Sequence, residues 1–245
     1  MYGNRHLGLN LMYPDDSIQA YVGKWWSINE SKDIKRGRLI KAFVPHVDQI
    51  PMTLNPIGRT DPTDHSRANY TLEPLRIDKP SRTYILPVAA LPDFEGEVRK
   101  VYRAKKRPVL IISAGGPDIP KELRYGKPRW QTAPTILVAP YYGADKGGKR
   151  SGFREEFIER VRRCEYPHYI WDILPLPGDA GESILRLDHI QPIGRHYESY
   201  EWSQYCLSDE AMLIFNEWLH WLLEDDLSTD STLFEFREAL IKHDF

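Results

Sequence analysis

From residue 107 onward the apolar residues of this chain arrive in runs the length of single strands. RPVLIIS (107–113) and TILVAPYYG (135–143) are short apolar stretches bounded by glycine and proline, the pattern of buried strands. YIWDILPL and ESILRLDHIQPI follow as two more, and RGRLIKAFV (36–44) enters as a strand after a glycine. RTYILPVAAL and GEVRKVYR read as further strands. Helical spacing is confined to a few places. REEFIERVRR (154–163) makes a short amphipathic helix, with Phe153, Phe157 and Val161 on one face. Ser208 caps DEAMLIFNEWLHWLL, where Ala211, Phe215, Trp218 and Leu222 recur at helical intervals, and TLFEFREALIKH forms a last helix. PDDSIQAYVGKWWSINE (14–30) reads as a short helix or turn capped by Asp15 or Asp16. The fold class is therefore mainly β with helices, α+β, in the form of a small barrel carrying additions.

One segment departs from this plan. Residues 45–81 are rich in Pro, Asp, Thr, Asn and Ser without sustained periodicity, and are expected to form a long irregular insertion. The formal net charge of -2 excludes a polycation, so a nucleic-acid surface would have to be a local patch. No apolar run approaches the length of a membrane helix. The opening MYGNRHLGLNLMYPDD lacks the basic, apolar and cleavage regions of a signal peptide. Cys164 and Cys206 show no metal spacing, and a cytoplasmic protein with free thiols is expected. With no H-E-x-x-H, paired CxxC or acidic cluster, neither metal nor cofactor is expected.

Three stretches could carry chemistry. In ESILRLDHIQPI, strand alternation puts Leu185 and Leu187 on one face and Arg186 and Asp188 on the other, roughly 6.5–7 Å apart at their Cα atoms. That span suits a carboxylate and a cation flanking one phosphodiester. Taken alone, the pair reads more simply as an exposed ion pair worth little. The same alternation sends His189 to the leucine face, as a structural residue. In KKRPVLIIS, Pro108 costs its strand one donor, which sets the entry at an edge or rim where Arg107 can reach a ligand. Lys105, Lys106 and Arg107 would serve equally as a solvated turn. The glycine-rich GADKGGKR fits no phosphate loop, but Lys146, Lys149 and Arg150, with the arginines of the next helix, could line an RNA backbone. His168, after Pro167, could act as an acid or base near neutral pH. Trp25, Trp26, Trp218 and Trp221 are expected in the core rather than as stacking platforms.

The order RGRLIKAFVP, KKRPVLIIS, TILVAPYYG, SILRLDHIQPI and a capped helix beginning LSDEAM resembles the MazF/PemK family of toxin ribonucleases. The resemblance covers residues 36–44 and about 97–225, and R-P-V-L-I-I-S is its most specific piece. It implies an SH3-like barrel, usually a homodimer, that cleaves single-stranded RNA without metal and is blocked by an antitoxin protein. On that pattern the chain divides into an N-terminal extension (1–35), a barrel domain (36–225) interrupted by an insertion at 45–96, and a helical extension (226–245). Arg107 falls on the family's arginine before proline, and Arg186 and Asp188 on the Arg-x-Asp pair of the PemK branch. Tyr142 stands where the MazF branch has its catalytic threonine. The implied reaction is transesterification: Asp188 draws the proton from a 2′-hydroxyl, Arg107 and Arg186 stabilise charge on the phosphate oxygens, and Tyr142 or His168 protonates the leaving 5′-oxygen. Lys105, Lys106, Lys146, Lys149 and Arg150 would follow the RNA backbone. A catalytically inactive barrel that binds nucleic acid or protein is the alternative, supported by the absent threonine.

Overall fold

A computed structural model describes residues 11–78, 96–128, 131–144, 153–177 and 181–242. RTYILPVAAL and the basic residues Lys146, Lys149 and Arg150 lie outside the described residues. The chain forms two compact units: one holds the chain up to Phe43 and from Lys106 onward, the other Val44–Lys105. In chain order the elements are α1 (Ile18–Tyr21), β1 (Trp26–Ile28), β2 (Arg38–Pro45), β3 (Met52–Gly58), β4 (Asn69–Pro74), β5 (Lys100–Val101), β6 (Ala104–Ser113) and β7 (Ile136–Gly143). They continue with α2 (Glu155–Arg162), β8 (Tyr169–Ile173), β9 (Glu182–Arg186), β10 (Gln191–Ile193), β11 (Tyr200–Leu207), α3 (Asp209–Glu224) and α4 (Thr232–Lys242).

The larger sheet has eight strands among the described residues, in the order β1-β11-β2-β6-β7-β9-β8, with β10 also on β7. It is mainly antiparallel and curls into a half-barrel. RGRLIKAFV, RPVLIIS, TILVAPYYG, YIWDILPL and ESILRLDHIQPI, all expected as strands, supply β2, β6, β7, β8 and β9 with β10 to it. Two edge-side members, β1 and β11, were not expected: YEWSQYCL mixes aromatic and polar residues in place of an aliphatic run, and most of it is exposed or half-buried. Alternation sorts the central strands into two faces. Leu110, Ala139, Tyr141, Ile170, Leu185 and Leu187 point into the main core, where Ala211, Phe215 and Trp218 of α3 meet them. On the other face Ile158 and Val161 of α2 pack against Trp171 and Ile184.

Helix α3 begins as its sequence dictates. The Ser208 hydroxyl oxygen accepts from the Ala211 N–H at 3.0 Å, while the hydroxyl donates to the Lys24 carbonyl. Asp209 and Glu210 occupy the first turn, where carboxylates favour the helix dipole. Ser208→Ala is expected to lower stability by about 1 kcal/mol, the usual worth of such a cap, read as a fall in melting temperature. At α1 the expected cap is corrected. Ser17, not Asp15 or Asp16, is the N-cap, and it makes no capping bond with its side chain. Asp16 is drawn away by Arg162, whose Nε donates to it at 2.8 Å.

The smaller unit corrects the expectation of an irregular insertion. β3 pairs antiparallel with both β4 and β5, giving the order β4-β3-β5. Its strands carry no apolar alternation because the pairing buries Thr53 and Asn55, and β4 is mostly exposed. Only Lys100 and Val101 of GEVRKVYR are strand.

Candidate functional site

Tyr142 is the centre of the site, and its place follows from strand register. β6 pairs with β7 through Val109↔Pro140 and Leu110↔Ala139. Continuing that antiparallel register by two residues sets Arg107 opposite Tyr142. The Arg107 guanidinium carbon lies 4.1 Å from the centre of the Tyr142 ring. On the other side of β7, Tyr142 pairs with Ile184, and Arg186 stands two residues further along β9 on the same face. Its guanidinium carbon lies 5.7 Å from the Tyr142 ring and 5.1 Å from that of Tyr169, its partner on β8. Two cations from opposite neighbours of one strand thus meet a single aromatic ring, an arrangement favoured by the ring's negative face.

Immediately after Arg186 the strand breaks into a 3-10 turn, Leu187–His189. Four steps along β7, from Tyr142 to Val138, are matched by seven on the facing chain, from Ile184 to Gln191. The three surplus residues form the turn. Leu187 remains in the core, as alternation required. Asp188 folds back onto Arg186, which donates through Nε at 2.7 Å and Nη2 at 2.6 Å to the two carboxylate oxygens. The pair is about a fifth to a quarter exposed. Burial raises the Asp188 carboxyl, but the bonds and charge of Arg186 outweigh it, leaving the group below the usual carboxylate range.

The turn also overturns the expected placing of His189. Alternation sent it to the leucine face, yet its ring contacts the cluster on the opposite one. Nδ1 is 2.9 Å from the Tyr142 hydroxyl and Nε2 is 2.8 Å from Nη2 of Arg186. The physical reason is the loss of two-residue periodicity once the backbone leaves extended geometry. His189 is the functional candidate that strand reasoning missed, and the residues Asp-His after a strand's last arginine carry no clear signal of such a turn.

The other expected site residues are dispersed. His168 is exposed; its carbonyl accepts the Leu187 N–H at 2.9 Å, and its ring lies 5.7 Å from that of Tyr169. Lys106 is ion-paired with Glu201 on β11. Lys105, exposed, is the last residue of the smaller unit. Lys106 is thus held by a carboxylate, while Arg107 stands over the Tyr142 ring. Among the arginines of α2 and its C-terminus, Arg160 pairs with Glu165 and Arg162 with Asp16, so these two are committed to local ion pairs. Trp25, Trp26 and Trp218 are buried, as expected of core residues.

A second polar cluster lies in the main core. Asp172 is fully buried, and each of its oxygens accepts two bonds. Tyr13 Oη (3.0 Å) and Trp26 Nε1 (3.3 Å) donate to Oδ1, while Trp25 Nε1 and Tyr141 Oη (both 3.2 Å) donate to Oδ2. Burial raises its carboxyl to about 7, against the opposing pull of those four donors. This cluster ties the N-terminal segment to β7 and β8. Among the described residues, no group of three or more His, Cys, Asp or Glu side chains is arranged to hold a metal ion, and no helix is long and apolar enough to cross a membrane. Comparison with protein-family models, with curated proteins and with solved structures finds no match to this chain.

Proposed function

We propose that the Tyr142 cluster is the active site of a metal-independent endoribonuclease of the MazF/PemK kind, built on an SH3-like barrel and acting on single-stranded RNA. One observation carries the reading: Arg107 and Arg186, brought from two different strands, converge on one ring with Asp188 in the same cluster. Guanidinium groups are suited to a phosphate because their forked donors can hold two oxygens at once. Charge gathers on those oxygens as the 2′-hydroxyl attacks phosphorus, and cations fixed in advance stabilise it without reorganisation. Asp188 is ionised at neutral pH on the strength of its lowered carboxyl, and each of its oxygens retains a lone pair beyond the bond from Arg186. It takes the 2′-hydroxyl proton. The leaving 5′-oxygen receives one from Tyr142 or His168. A homodimer and an antitoxin protein that covers this face belong to the same proposal.

The test is incubation of the full chain with a long single-stranded RNA in excess chelator. Cleavage giving 2′,3′-cyclic phosphate and 5′-hydroxyl ends is the expected result, and intact RNA would overturn it. A second reading draws on the bidentate hold of Arg186 on Asp188, which occupies both carboxylate oxygens. In that case the same cluster grips a phosphate without cutting, and the RNA is bound but recovered whole.

A further inference from the structure

We infer that the Tyr142 hydroxyl is the general acid of this site and that His189 is the positioning residue that turns its proton outward, an inference that rests on the ribonuclease reading above. The orientation follows from hydrogen-bond donors alone. A guanidinium offers only N–H donors, so the Arg186 Nη2 that lies 2.8 Å from His189 Nε2 must donate to it. Nε2 therefore presents its lone pair, and the neutral imidazole carries its proton on Nδ1. Nδ1 is 2.9 Å from the Tyr142 oxygen, which accepts that N–H. The tautomer is assigned from these partners. With its oxygen already accepting from the imidazole, the phenol directs its own proton away from His189.

The rest of the cluster favours the departure of that proton. Arg107 at 4.1 Å and Arg186 at 5.7 Å from the ring centre both stabilise the phenolate left behind. These are the same two cations that would hold the phosphate, so the acid and the phosphate grip share one scaffold. In the step itself the bond from the 2′-oxygen to phosphorus forms as the bond from phosphorus to the 5′-oxygen breaks. The electron pair goes to the 5′-oxygen, which takes the Tyr142 proton, while Asp188 receives the 2′-hydroxyl proton. Solvent then reprotonates Tyr142 and takes the proton from Asp188. His168, the other candidate acid, is exposed and presents its ring to Tyr169 rather than to this chain of bonds.

The experiment compares an ordinary RNA with one in which sulfur replaces the 5′-bridging oxygen at a linkage the parent cuts. A thiolate leaves without needing a proton. Tyr142→Phe and His189→Ala are expected to slow single-turnover cleavage of the oxygen RNA by roughly a hundredfold, the scale of one lost acid. Both should return to near the parental rate on the sulfur RNA. His189→Asn, whose amide N–H can stand in for Nδ1–H, should recover most of the activity that His189→Ala loses. Arg107→Ala should remain slow on both substrates. Tyr142→Phe matching the parent on oxygen RNA, or staying equally slow on sulfur RNA, overturns the inference while leaving the ribonuclease reading intact. His189→Ala matching the parent overturns the part assigned to His189. A parent that cuts neither RNA defeats the ribonuclease reading, and this inference with it.

Discussion

Arg107→Ala is expected to lower single-turnover cleavage of single-stranded RNA by roughly two to three orders of magnitude, the cost typical of losing one preorganised donor to a developing charge. Arg107 enters on β6, opposite Tyr142, and its guanidinium is held 4.1 Å above that ring. On the proposed ribonuclease reading the ring fixes the cation before substrate arrives, so its contribution falls mainly on the transition state, where the phosphate oxygens are most charged. RNA affinity should fall much less, since one phosphate contact among several is a modest loss. Arg107→Lys should recover little, because an ammonium lacks both the planar stack on tyrosine and the two-oxygen fork. The measurement is cleavage rate beside binding of the same RNA. Loss of binding equal to the loss of rate would mean that Arg107 serves only as a grip, as in a non-cutting module.

Asp172→Ala is expected to destabilise the protein by about 3–5 kcal/mol, because it strands several buried donors at once and each costs about 1–3 kcal/mol. Trp25 and Trp26 are the decisive partners. An indole N–H can only donate, and one faces each oxygen of Asp172. Asp172→Asn therefore recovers only part of the loss, since its NH2 must face one of those donors wherever the amide is turned. The pH dependence has a definite sign. Burial raises the folded-state carboxyl to about 7 from an ordinary 3.8. Between those values the folded protein keeps a proton that the unfolded chain has lost. The stabilising contribution is complete below about 3.8 and is lost as pH rises through about 7. Thermal melting from pH 4 to 7 should show the parent's advantage over Asp172→Ala shrinking across that window. A constant advantage would mean that Asp172 does not titrate there.

Much of the sheet could be read from the chain because it depends on local pattern. RPVLIIS, TILVAPYYG and YIWDILPL bury one or both faces, and burial writes itself as apolar runs. The Ser208 cap and the helix after it are equally local. Asp172 was legible in principle: alternation along YIWDILPL sets it with Ile170 and Leu174, both in the main core, and a carboxylate on a core face asks for donors. The donors themselves, Tyr13, Trp25 and Trp26, lie far away in sequence, and nothing in the pattern connects them. In the smaller unit the β3–β4 pairing escaped notice because it buries polar Thr53 and Asn55 and leaves β4 largely in solvent.

The sequence by itself determined the strands RPVLIIS, TILVAPYYG and YIWDILPL, and that Leu185 and Arg186 take opposite faces of their strand, Leu185 toward the core. Those follow from a two-residue period that needs no partner strand. Only tertiary structure decided that Arg107 and Arg186 meet on Tyr142, since that convergence depends on the register of β6 and β9 against β7. It also decided the place of His189. Three residues beyond what β7 can pair must leave the sheet, and the turn they form carries the imidazole to the Tyr142 hydroxyl. Register is a property of two chains pairing, so a single strand's sequence does not contain it.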